Sequence, residues 1–102
     1  MVKYSIWAEI QAKPGKENEV EEFLKSAQVL AEQEKDTITW YVIKLRPGLF
    51  GIFDTFVNEA GREAHLNGEI AKALFSEKTK ALLAKEPNVS KIDVIAAKVP
   101  RA

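Results

Sequence analysis

Cysteine is absent from all 102 residues, which excludes a disulfide framework, a thiolate metal site and a redox thiol, and fits a cytoplasmic chain. Neither sign of charge is in excess. Fifteen Lys and Arg offset fifteen Asp and Glu, so no net field draws the protein onto nucleic acid or anionic lipid. Long apolar runs are missing as well: no stretch approaches the roughly 20 residues of a membrane span. The opening Met-Val-Lys-Tyr-Ser-Ile-Trp alternates instead of forming the apolar core of a signal peptide. Histidine occurs once, at position 65, and no Asp/Glu spacing suggests a carboxylate metal site. Nor is there a Gly-rich phosphate loop or a serine in a nucleophile elbow.

What is present describes a folded domain. Hydrophobic residues are 46% and charged residues 29%, too apolar for disorder. A chain of this length forms one domain, residues 1–102, and buries roughly 65% of its unfolded surface. Val2, Tyr4, Ile6, Ala8, Ile10 and Ala12 recur with period two, predicting a first strand from Val2 to Ala12. After Pro14-Gly15 the period becomes helical through Val20, Phe23, Leu24, Ala27, Leu30 and Ala31. Glu17, Glu19, Glu21 and Glu22 lie in the first turns, where the helix dipole favours acids, and read as a solvated surface.

A second strand is predicted over Thr37–Leu45, a tight Arg46-Pro47-Gly48-Leu49 turn, and a third strand from Phe50 to about Val57. Asn58 can cap a helix carrying Ala64, His65 and Leu66, which Asn67-Gly68 ends. A further helix is expected over Glu69–Ala84 and a last strand over Val89–Val99. Strand, helix, strand, strand, helix, strand is the order of an α+β, ferredoxin-like split βαβ fold. Its sheet has four antiparallel strands, with the helices on one face.

Pairing Leu45 with Phe50 across the turn sets Tyr41 opposite Asp54. It also leaves Ile38, Trp40, Val42 and Phe53 with Trp7 on the face without helices. An apolar face of that kind, with Trp7, Trp40 and Phe53 at its centre, predicts a homodimer packed sheet on sheet.

The segment Phe50–Asn67 holds the candidate chemistry. It reads as an apolar strand delivering Asp54, then a turn into the helix of His65, whose unperturbed pKa lies near neutrality. His65 is a candidate base and Asp54 a candidate partner for its second ring nitrogen. Tyr41 could bond a substrate oxygen, while Phe50, Ile52, Phe56 and Leu66 supply apolar walls. Plainer roles stand beside these. His65 can be a structural imidazole, Asp54 can serve backbone donors or the helix entry, and Tyr41 can be a packing residue.

Several segments together resemble the antibiotic biosynthesis monooxygenase (ABM) family, and its small stand-alone quinol monooxygenases in particular. They are Trp7-Ala8-Glu9-Ile10, Lys13-Pro14-Gly15-Lys16, Phe50-Gly51-Ile52-Phe53-Asp54-Thr55-Phe56 and Ala64-His65-Leu66-Asn67-Gly68. The resemblance runs from about Lys3 to Pro100. It implies a dimeric α+β barrel with a pocket between sheet and helices, and oxidation of a small aromatic quinol or polyphenol to a quinone by molecular oxygen without a cofactor.

The best understood branches of that family differ at their key positions. The haem degraders' axial histidine falls at Phe75, their asparagine at Ala8 and their tryptophan at His65, which disfavours haem degradation. The phenol oxygenases' asparagine, tryptophan and tyrosine fall at Ile52, Phe56 and Arg62. The alternative is a non-enzymatic dimer that binds a small apolar metabolite. The same fold order occurs in RNA-recognition modules, but Gly51-Ile52-Phe53-Asp54 puts an acid where such modules need a base, so no nucleic-acid partner is expected.

Overall fold

A computed structural model describes residues 3–100, so Val2 of the predicted first strand lies outside the described residues. The element order is β1 (Tyr4–Gln11), α1 (Glu17–Ser26), α2 (Gln28–Glu32), β2 (Thr37–Arg46), β3 (Leu49–Phe56), α3 (Glu59–Leu66), α4 (Glu69–Leu74), α5 (Glu77–Lys80) and β4 (Asn88–Asp93). The strands form one antiparallel sheet in the order β2-β3-β1-β4. This is the predicted split βαβ topology. The sheet of one chain is open; the barrel implied by the family resemblance does not close within it.

The even residues of β1 explain the layering. Ile6, Ala8 and Ile10 face the helices and are buried with Phe50, Ile52, Val20, Leu24 and Leu74. Fully burying such side chains stabilises the fold by about 1.5–3 kcal/mol each, so this shared face sets the sheet's orientation. Gly48 sits in the β2–β3 turn with φ +83°, a backbone shape that side chains resist, and its carbonyl accepts from the Ala12 amide.

The register of β2 departs from the expected one. Lys44 pairs with Phe50 and Arg46 with Leu49, so Leu45 is an extra residue in the ladder, and a second irregularity falls between Thr37 and Thr39. One extra residue shifts the strand by one and exchanges its faces. Trp40, not Tyr41, therefore lies opposite Asp54. Trp40 and Val42 turn toward the helices and pack on the core, leaving the helix-free face on which they were expected. That face is formed by Trp7, Phe53, Tyr41 and Ile43, of which Tyr41 is 54% exposed.

Both long helices are interrupted. Ser26 donates its hydroxyl to the Phe23 carbonyl, and the turn at Ala27 separates α1 from α2. Ser76 accepts from the Thr79 amide and starts α5, which splits the predicted 69–84 helix after Leu74. The last strand ends at Asp93, paired with Tyr4 at the start of β1, and Val94 donates once more to Lys3. Beyond it no strand is formed among the described residues, and Ile95 is 91% exposed.

On the helix-free face the Trp7 indole lies against Gly51, where any Cβ would collide with its six-membered ring. Gly51→Ala is expected to push the indole aside and cost about 1–3 kcal/mol by overpacking. Thermal unfolding and tryptophan emission measure it; an unchanged midpoint and spectrum would contradict this packing.

Candidate functional site

The site is assembled from three elements. Strand β3 lies between β1 and β2, so Asp54 projects from mid-sheet, beside Ile6 and Trp40, into the layer under the helices. Asn58 caps α3 by accepting from the Gly61 amide. The helix so begun brings His65, in its last turn, down onto Asp54. The α2–β2 connection contributes Glu34, which the hydroxyl of Thr37 holds at 2.8 Å.

His65 stands between the two acids. Its Nδ1 is 2.7 Å from Glu34 Oε1 and its Nε2 is 3.0 Å from Asp54 Oδ2. Phe56 lies beside the imidazole, ring centre to ring centre 5.2 Å. Exposure grades across the three groups: 0% for Asp54, 8% for His65 and 22% for Glu34. The Glu34 contact is a hydrogen bond. The Asp54 contact has the distance of an ion pair without the direction of a hydrogen bond, and neither Asp54 oxygen has a hydrogen-bond partner. A fully buried carboxylate left in that state has lost its hydration and regained little of it.

Protonation follows from these surroundings. Desolvation pushes the Asp54 pKa above its ordinary value, and the His65 imidazole offsets that only in part. Desolvation also works against the His65 imidazolium, but Asp54 and Glu34 together outweigh it and raise the His65 pKa above 6.5. The cluster thus holds a proton more firmly than free imidazole does.

Two hollows meet at the imidazole. On the Asp54 side is a cavity of about 30 Å³, walled by Ile52, Leu66, Ile70, Leu74 and Phe75. On the Glu34 side is an open cleft of about 380 Å³, lined by Leu30, Gly61, Ala64 and Glu69 among others. His65 is the residue lining both. The inner cavity has room for a water-sized molecule, whereas the outer cleft reaches the size of small-ligand sites, roughly 300–1,000 Å³.

Of the residues singled out from sequence, Asp54, His65, Ile52 and Leu66 come together at the inner cavity, and Phe56 packs on His65. Phe50 is core and lies off that cavity. Tyr41 points away from the helices, because the Leu45 bulge reverses it. Glu34 was not foreseen: it sits in the charged run Glu32-Gln33-Glu34-Lys35-Asp36, which reads as solvated surface.

Arg62 was also missed as a buried charge. Its Nη1 reaches the Ser5 and Ile92 carbonyls, its guanidinium lies over the Tyr4 ring, and it ties α3 to β1 and β4. Among the described residues no group of three or more His, Cys, Asp or Glu is arranged to hold a metal ion, and no helix is long and apolar enough to cross a membrane.

Both pKa values are higher folded than unfolded, so folding takes up protons. The resulting stabilisation is complete below the unfolded values and drains as pH rises through the folded ones. The unfolding temperature is expected to fall as pH rises above the ordinary imidazole value of 6.5, and His65→Gln should remove the part of that fall due to the imidazole. Melting curves of both proteins across this range measure it. Parallel pH profiles would contradict the assignment.

No protein-family model and no curated protein matches the chain. Among solved structures, a protein of unknown function from Nitrosomonas europaea is 44% identical, with 100% of this chain and 98% of that one covered and a TM-score of 0.93. A Pseudomonas aeruginosa protein is 21% identical, covering 94% and 97%, with a TM-score of 0.78. A structure described as an antibiotic biosynthesis monooxygenase is 17% identical, covering 91% and 99%, with a TM-score of 0.77. The last two are too distant in sequence to show more than a shared fold. The chain belongs to one family with the Nitrosomonas europaea protein, and its fold is that of the antibiotic biosynthesis monooxygenase.

Proposed function

We propose that this protein is a cofactor-independent monooxygenase that oxidises a small aromatic quinol or polyphenol to a quinone, with Asp54 as its proton acceptor and His65 and Glu34 holding that acid in place. The observation that carries the reading is the fully buried Asp54 carboxylate, ion-paired through Oδ2 with His65 and bordering an apolar cavity. The monooxygenase-like fold supports it.

Both ring nitrogens of His65 face carboxylates, so the imidazole does not meet substrate directly. Asp54 is the group on the cavity side. It accepts the phenolic proton and later returns it to the departing oxygen, while His65, bonded to Glu34, balances the charge of the carboxylate and holds it in place. A desolvated carboxylate with a raised pKa is a stronger base than a free one, which suits it to a phenol. The phenolate is electron-rich enough to react with dioxygen. One oxygen atom bonds to a ring carbon, which loses its hydrogen and becomes the new carbonyl, and the O–O bond breaks so that the other oxygen leaves as water with that hydrogen and the phenolic proton.

The inner cavity is smaller than a quinol, so binding requires its wall to yield. The wall that suits this is the α4–α5 junction, two short helices broken at Phe75-Ser76, with Phe75 49% exposed.

The helix-free face supports the homodimer expected from sequence, now centred on Trp7, Phe53, Tyr41 and Ile43. Sheet-on-sheet packing of two copies would cover this patch.

Asp54→Asn and His65→Gln are expected to lower turnover of a naphthohydroquinone by about 10²–10⁴-fold, the usual worth of a positioned base. Oxygen uptake and the mass of the product made under labelled dioxygen report it. Undiminished turnover in Asp54→Asn would remove Asp54 as the proton acceptor, and binding without oxygen incorporation would make the protein a carrier. Sedimentation is expected to show a dimer that Trp7→Glu converts to monomer; a wild-type monomer would refute the face assignment.

A further inference from the structure

A third hollow lies on the far side of the Leu74–Phe75 wall. It is a cleft of about 300 Å³ with Leu74, Phe75 and Leu83 as apolar floor and Lys13, Lys80 and Lys85 around it. Leu74 and Phe75 line this cleft and also the inner cavity that holds Asp54. The two hollows are thus separated by these two side chains. The rim is tied together by backbone: Ala12 bridges Leu83, Lys13 donates to Leu82, and Ala84 donates to Gln11.

The charge at this mouth is one-sided. Three ammonium groups face a single acid, Glu86. Lys16, Lys25, Lys44, Lys72 and Lys91 each pair with a glutamate; Lys13, Lys80 and Lys85, like Lys3, Lys35, Lys78 and Lys98, have no ion-pair partner among the described residues, but only the first three line one cleft together. Uncompensated lysines around an apolar floor attract an anion attached to a flat apolar body. The opposite end of that body would lie toward Phe75 and Asp54.

We propose that this cleft is the substrate mouth and selects a phenol or quinol bearing a carboxylate, held at its anionic end by Lys13, Lys80 and Lys85 while its ring displaces Phe75 toward Asp54. The inference rests on the reading of the Asp54 side as the reacting side. It also places the ligand's charge at the rim, away from the buried acid, where the lysines neutralise it.

Titrating isotope-labelled protein with 6-hydroxy-2-naphthoate, whose phenol and carboxylate lie at opposite ends of the ring system, and with 2-naphthol, while following backbone amide shifts, tests the assignment. The naphthoate is expected to bind at least about tenfold more tightly, a difference of about 1.4 kcal/mol. Its shifts should centre on Leu74, Phe75, Leu83 and Ala84. The preference should collapse in the Lys13→Gln/Lys80→Gln/Lys85→Gln variant and at high salt, but survive in Lys78→Gln/Lys98→Gln. Equal affinities, or shifts centred on Gln33, Ala64 and Gly68, would overturn it. A carboxylate preference without turnover upholds the mouth and fails the oxygenase reading. Turnover of neutral quinols that ignores the lysine substitutions does the reverse.

Discussion

An imidazole held between two carboxylates organises this molecule, because each of the three groups comes from a different part of the chain. Asp54 belongs to an inner strand, His65 to the helix that follows it, and Glu34 to the connection that leads into β2. The contacts at 2.7 and 3.0 Å therefore cross-link sheet, helix and loop. Burying an acid as deeply as Asp54 is costly, and a pair of this kind gives back its cost only where the geometry is good. Here one side is a directed hydrogen bond and the other is not.

The rest of the fold serves that arrangement. The β3 position sets the depth of Asp54, and the Asn58 cap sets the start of α3 and with it the angle at which His65 arrives. Arg62 anchors the same helix to the opposite side of the sheet through two backbone carbonyls and the Tyr4 ring. With α3 tied at both places, the imidazole has little freedom. The neighbouring α4–α5 wall is different in kind. It consists of two short helices with a serine-capped break between them, and elements of that sort open locally at low cost.

How much of this was readable in advance depended on the kind of signal. Period-two alternation in Tyr4–Ala12 and the apolar strand around Asp54 survive because burial of one face enforces them. The His65 helix was readable from its cap and its Asn67-Gly68 end. Strand β2 was readable as a strand but not in register: Leu45 looks like any strand residue, and its bulge inverts every side chain behind it. Trp40 and Tyr41 exchanged faces for that reason alone. Glu34 was invisible because a glutamate in a charged loop carries no local mark of a partner 31 residues away. The breaks at Ser26 and Ser76 were equally hard to see, since serine in a helical run signals a cap only once the backbone beyond it is known to turn.

The most direct measurement is the protonation state of the single imidazole, read from the ring-nitrogen resonances of His65 as pH is varied. A ring held between two carboxylates should titrate above the value of 6.5 expected for an isolated histidine. Titration at or below that value would mean that the carboxylates do not govern the ring and that the reading of this site fails.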